Sequence, residues 1–191
     1  MQKVILDCDP GHDDAIAIML AGKHLDILGV TTVGGNGYLE NTTRNALQVL
    51  DVIGRSDVKV YPGHAGPSTV PLVIAANVHG KSAMDGPQLP PPSKPAEKKH
   101  GVDFIVDTVM STDDVVLVAT GPLTNIASAL NKEPRIAQRV KGLYIMGGGA
   151  YCGNWTPAAE FNIFVDVEAA YKVFHSGMPI YMSGVNLTRQ C

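Results

Sequence analysis

Six short runs rich in β-branched residues alternate with segments of helical period along this chain, and that alternation restricts the fold more than any other feature. The runs are VILDC (4–8), LDILGVTTV (25–33), VKVYPG (58–63), VVLVAT (115–120), VKGLYIM (140–146) and MPIYMSG (178–184). Between them, DDAIAIMLAG (13–22), NTTRNALQVLDVIG (41–54), GVDFIVDTVM (101–110), GPLTNIASAL (121–130) and VDVEAAYKVFHSG (165–177) place apolar residues at i, i+3 and i+4. A strand–helix–strand order favours parallel strands, because the helix returns the chain to the same end of the sheet and covers a face on the way. The expectation is an α/β fold: an open, mainly parallel sheet with helices on both faces, in a single domain over residues 1–191. Gly22, Gly54 and Gly177, just past the last periodic residues, are expected to end their helices. Prolines and charges in GPQLPPPSKPAEKKH (86–100) predict a long irregular loop, either a flap near a site or an ordinary solvated loop.

Composition removes several function classes. A 45% hydrophobic chain of 191 residues can bury a core. With a net charge of -3 and scattered Lys and Arg, it offers no basic stripe for nucleic acid. No apolar run is long enough to cross a bilayer, and the N-terminus enters a strand-like run by Val4 without the pattern of a secretion signal, so a cytoplasmic protein with no membrane partner is expected. Cys8, Cys152 and Cys191 are odd in number and widely spaced, and are read as free thiols.

The chemistry gathers where ligands bind in such sheets, beyond the carboxyl ends of the strands. After the first strand, DCDPGHDD (7–14) sets four carboxylates in eight positions. Two carboxylates about 4 Å apart repel by roughly 4 kcal/mol at an effective dielectric near 20, so a folded cluster needs a cation, a shared proton or strong donors. Period-two geometry sends Asp7 and Asp9 to one face, while Asp13 and Asp14 open a helix, where either could simply cap it. Capping leaves Asp9 unexplained. A hard divalent ion taking oxygen ligands explains the cluster best. Other strand ends bring Asn36 in VGGN, Thr120 in TGPLTN, and Asn154, Glu160 and Asn162 in NWTPAAEFN. The last three mix donors with one acceptor and suit a polyhydroxylated ligand, or else cap the helix that follows. His79, in VHGKSAMDG, is by itself as well explained by a structural role.

Together these residues resemble the nucleoside hydrolases, the inosine-uridine-preferring N-ribohydrolase family. DCDPGHDDA matches that family's DxDxGxDDA signature. The likeness continues through VGGN, NVHGKSAMDGP, TGPLTN, the MGGG segment and GNWTPAAEFNIFVDVEAA, covering essentially the whole chain, and is nearest to the pyrimidine-leaning bacterial members. The resemblance implies hydrolysis of the N-glycosidic bond of a small-molecule ribonucleoside and a Ca²⁺ cofactor. It implies Asp9 as calcium ligand and base for the attacking water, Asp14 as a second ligand, and Thr120 as a carbonyl ligand. It further implies ribose contacts from Asp13, Asn36, Met146, Asn154, Glu160 and Asn162, His79 near the nucleobase, Asp7 orienting its neighbours, and a homo-oligomer, dimer or tetramer.

Two departures qualify it. Family members run to about 300 residues, so the resemblance implies that the C-terminal part is missing, together with a further calcium-binding Asp and a His that helps protonate the leaving base. Apolar sheet surface is then expected to be uncovered. Lys81 and Ala83 stand where relatives often have Glu and Gly. Two alternatives are a non-catalytic ribose-binding module and a haloacid-dehalogenase-like phosphatase, which shares DxD after a first strand but not the acidic pair that follows so closely here.

Overall fold

The computed structural model describes residues 1–190; Cys191, one of the three expected free thiols, lies outside them. Its six strands are β1 (Lys3–Cys8), β2 (Asp26–Thr32), β3 (Val60–Pro62), β4 (Val116–Ala119), β5 (Gly142–Met146) and β6 (Ile180–Ser183). They form one sheet in the order β3-β2-β1-β4-β5-β6, with every pairing parallel. The order grows outward from β1 to one edge and from β4 to the other. The chain therefore switches direction between β1 and β4, where the helices that follow these two strands leave on opposite faces and open a crevice.

Helices cover both faces, unequally. On one face α4 (Gly101–Ser111), α5 (Thr124–Lys132) and α8 (Val167–Phe174) pack on Ile5, Leu117, Leu143 and Ile145 across the width of the sheet. On the other, α1 (His12–His24) and α2 (Leu39–Val52) pack on Val4, Leu6, Val30 and Val60, beside the β1–β3 half. Beyond α1 the second face is bare: Tyr144 and Tyr181 stack at 4.5 Å between ring centroids and are 46% and 53% exposed. The expected uncovered surface is found there. No helix among the described residues is long and apolar enough to cross a membrane.

The periodic segments form helices where expected, with instructive differences. Gly22 does not end α1, which continues to His24 because the side chain of Ile53 fills the space a Cβ at Gly22 would take, so the glycine serves close packing against the end of α2. Gly54 and Gly177 do lie past helix ends, at φ +69° and +81°. The third strand shrinks to Val60–Pro62 because Pro62 cannot donate to a ladder and is tolerated only at this sheet edge. Four single-turn helices, α3 (Ala76–His79), α6 (Ile136–Arg139), α7 (Phe161–Val165) and α9 (Val185–Thr188), are too short for periodicity to reveal. The 86–100 loop has no regular structure and is tied to α2, through Gln48 Nε2 to the Leu89 and Pro90 carbonyls and Asp51 to Ser93, on the far side from the crevice.

Candidate active site

β1 delivers Asp7 and then Asp9 into the crevice, and both side chains face the α5 side, as period two predicts. Asp7 Oδ1 accepts from Thr31 Oγ1 at 2.5 Å and from Asn125 Nδ2 at 2.8 Å, while its Oδ2 is buried with no partner. Asp7 thus braces β1 against β2 and α5 beneath the site, matching its expected orienting role. Burial, opposed by those two hydrogen bonds, pushes its carboxyl up to about 6.

Asp9 is fully buried between two glycines. A Cβ on Gly35 would fall 2.1 Å from its Oδ2 and one on Gly121 2.5 Å from its Oδ1, so both positions exclude a side chain. Its Oδ2 accepts the Asn36 backbone N–H at 2.7 Å, and its Oδ1 has no partner. Burial and the neighbouring Asp14 push its carboxyl well above the usual range. Leaving a buried carboxylate oxygen unmatched costs free energy unless a proton or a cation meets it.

α1 supplies the other two acids. Asp14, in the first turn, accepts the Gly11 backbone N–H at 3.1 Å, so the capping explanation is correct for it in part. The same carboxylate also accepts from Asn36 Nδ2 at 3.1 Å and Thr120 Oγ1 at 2.5 Å, which turns it into the crevice. Burial, then the charge of Asp13, pushes Asp14 up to about 7. Asp13 points outward, with its side chain 74% exposed and its Oδ1 3.9 Å from His79 Nε2.

The facing wall comes from the ends of β4 and β5 and from α7. Asn162 Nδ2 donates to the Thr120 carbonyl at 2.8 Å and the Met146 carbonyl at 3.0 Å, tying the two strand ends together. Glu160 caps α7 by accepting from Ile163 N, as the simpler explanation expected, but it also accepts from Gly148 N in the loop after β5. Burial raises its carboxyl. Asn154 Oδ1 accepts from Phe161 N at 2.8 Å.

These walls enclose a cleft of about 280 Å³ lined by Asp13, Asn36, His79, Thr120, Met146, Asn154, Glu160 and Asn162, with Asp9 and Asp14 held beneath it through Asn36. Every residue singled out as ribose- or base-facing is brought to this one cleft. Ala75, Val78, Trp155 and Phe161 complete it and were not singled out. Small and apolar residues carry no chemical signal in a sequence, although Trp155 and Phe161 flank the polar NWTPAAEFN set. Ala83, at one of the departures from the family pattern, sits at φ +65° with its methyl fully buried, a conformation that glycine adopts more readily. Cys8 and Cys152 are free thiols.

An acid-floored, amide-walled cleft at the switch point of a parallel sheet defines a ligand-binding α/β protein of the Rossmann-like type. Residues 4–191 match the profile described as "Inosine-uridine preferring nucleoside hydrolase", and the chain belongs to that family. It is 48% identical to the "Pyrimidine-specific ribonucleoside hydrolase RihB" of Escherichia coli K12, over 99% of this chain and 61% of that protein. Among solved structures, the "Purine-Preferring Ribonucleoside Hydrolase from Gardnerella vaginalis" superposes with a TM-score of 0.92 at 38% identity, over 98% of this chain and 62% of that one. A plant nucleoside hydrolase gives a TM-score of 0.91 at 36% identity, covering 99% and 61%. The chain therefore spans about three-fifths of the length of these relatives. Family membership sets aside the phosphatase alternative.

Proposed function

We propose that this protein hydrolyses the N-glycosidic bond of ribonucleosides, releasing ribose and the free base. The observation that carries the proposal is the fully buried Asp9, whose unpartnered Oδ1 lies under a cleft walled by paired donors and acceptors. Cleavage makes C1′ cationic as the base departs, so the site needs an activated water on one face of the sugar and negative charge near the ring.

Asp9 accepts a proton from the attacking water at a carboxylate oxygen, and its burial, which raises its basicity, suits that task. The oxygen of that water bonds to C1′ while the glycosidic electron pair leaves with the base, which takes up a proton. Asn154 and Asn162 offer amide donors and acceptors to ribose hydroxyls, Asp13 accepts from a hydroxyl at the mouth, and Glu160 steadies positive charge on the ring. His79 faces the base.

The donor set fits a hard divalent ion such as Ca²⁺. The carboxylates of Asp9 and Asp14 and the carbonyl of Thr120 are all oxygens, and the unmatched Asp9 Oδ1 is the kind of atom a cation satisfies. Among the described residues no group of three or more His, Cys, Asp and Glu side chains converges as a metal cluster, so water and ligand hydroxyls are left to supply the remaining contacts. Such an ion lowers the pKa of water and orients the ribose. We place this work in the cytosol, consistent with the unpaired Cys8 and Cys152, and in a homo-oligomer, consistent with the bare Tyr144–Tyr181 face.

The test is ribose release from uridine and from inosine in the presence of calcium. Asp9→Asn is expected to lower turnover on the order of 100-fold or more. Ribose binding without turnover in the unaltered chain would favour the binding-module alternative.

A further inference from the structure

His12, the residue of DCDPGHDD with no assigned task, lies between His79 and a closed loop. Its Nε2 is 2.9 Å from the backbone carbonyl of Asp85, and its Nδ1 is 3.1 Å from His79 Nδ1. The rings lie 5.4 Å apart between centroids and 23° from parallel. The loop that presents the carbonyl is itself fixed. Asp85 N donates to the His79 carbonyl at 2.9 Å, and the Asp85 carboxylate accepts from the backbone N–H groups of Lys81 and Ser82 at 3.1 and 2.9 Å. Gly11 completes the fit, since a Cβ there would fall 2.7 Å from His79 Nδ1.

A carbonyl accepts only, so the proton of a neutral His12 must sit on Nε2, and its Nδ1 is then a bare acceptor. The contact between the two Nδ1 atoms needs one proton, which His79 must supply. We propose that His12 is a positioning residue that holds neutral His79 as its Nδ1–H tautomer, leaving the His79 Nε2 lone pair facing the cleft. The backbone N–H of His12 also approaches His79 Nδ1, at 3.5 Å, but the 3.1 Å side-chain contact is the shorter and decides the tautomer.

This assignment sets what the cleft mouth recognises. His79 Nε2 and Asp13 Oδ1, 3.9 Å apart, are then two acceptors side by side, and they call for a ligand that presents N–H or O–H donors between them. That consequence rests on the nucleoside proposal; the tautomer does not.

The tautomer is read directly by ¹⁵N–¹H correlation spectroscopy of the histidine rings in the intact chain at mildly alkaline pH. The expected spectrum has His79 Nδ1 of pyrrole type and Nε2 of pyridine type. His12→Asn keeps an acceptor oxygen near the position of Nδ1 and is expected to preserve that pattern, whereas His12→Phe is expected to shift His79 toward the Nε2–H form. Uridine binding by calorimetry is expected to weaken about tenfold in His12→Phe and to stay close to the unaltered chain in His12→Asn. An Nε2–H tautomer in the unaltered chain, or the same tautomer in His12→Phe, would overturn the proposal. The expected tautomers without uridine binding by any variant would leave His12 in its role and count against the nucleoside reading instead.

Discussion

Replacing Asp7 by Asn separates the cost of the acidic floor from its function. Asp7 is buried, with two donors on Oδ1 and none on Oδ2, and its folded carboxyl titrates at about 6 against an ordinary value of 3.8. Because the folded state holds this proton more tightly, Asp7 favours folding below pH 3.8, and that contribution is lost as pH rises through about 6. The gap of about 2.2 pH units corresponds to roughly 3 kcal/mol in full, of which about 1.4 kcal/mol falls between about pH 5 and about pH 8. Asn is a close isostere that does not titrate and can keep the carbonyl oxygen on Thr31 and Asn125, while its amide nitrogen replaces the unpartnered Oδ2. Urea unfolding of both proteins in chelator, at the two pH values, is the assay. The unaltered chain should lose about 1.4 kcal/mol more than Asp7→Asn on going to the higher pH. Parallel profiles would show that the buried Asp7 is ionised throughout, and the reasoning from its burial would fail.

Gly35→Ala should displace the Asp9 carboxylate, whose Oδ2 would lie 2.1 Å from the new Cβ, costing about 1–3 kcal/mol in denaturant unfolding and weakening calcium uptake by calorimetry. Asn162→Ala leaves the Thr120 and Met146 carbonyls without their shared donor, so about 1–3 kcal/mol of stability should be lost, with a smaller fall in uridine turnover than Asp9→Asn gives. Ala83→Gly deletes a fully buried methyl yet relieves a φ of +65°, so unfolding free energy should change by less than about 1 kcal/mol.

Much of this arrangement was legible in the sequence because it rests on periodicity and on strand ends. Period-two runs gave the strands, and the polar residues just past them proved to line one cleft. Capping could be foreseen for Asp14 and Glu160, but local rules could not show that each also reaches across the crevice, to Asn36 and Thr120 in one case and to Gly148 in the other. The glycines bracketing Asp9 were visible as VGGN and TGPL, yet their role depends on three strand ends meeting at the switch point. Gly22 misled because a glycine used for helix–helix contact looks the same in sequence as one used to end a helix. His12 was hidden for a similar reason: its partners, His79 and Asp85, lie 67 and 73 residues away.

The central claim is that Asp9 and Asp14 form the floor of a divalent-cation site, and calcium titrated into the chelator-treated chain tests it most directly. Isothermal titration calorimetry of the unaltered chain and of Asp9→Asn should be run side by side, with circular dichroism to confirm that both are folded. The expected result is saturable uptake of a single ion by the unaltered chain and its loss in Asp9→Asn, because the substitution removes the carboxylate whose Oδ1 has no partner within the protein. No uptake at millimolar calcium, or undiminished uptake in Asp9→Asn, would contradict it.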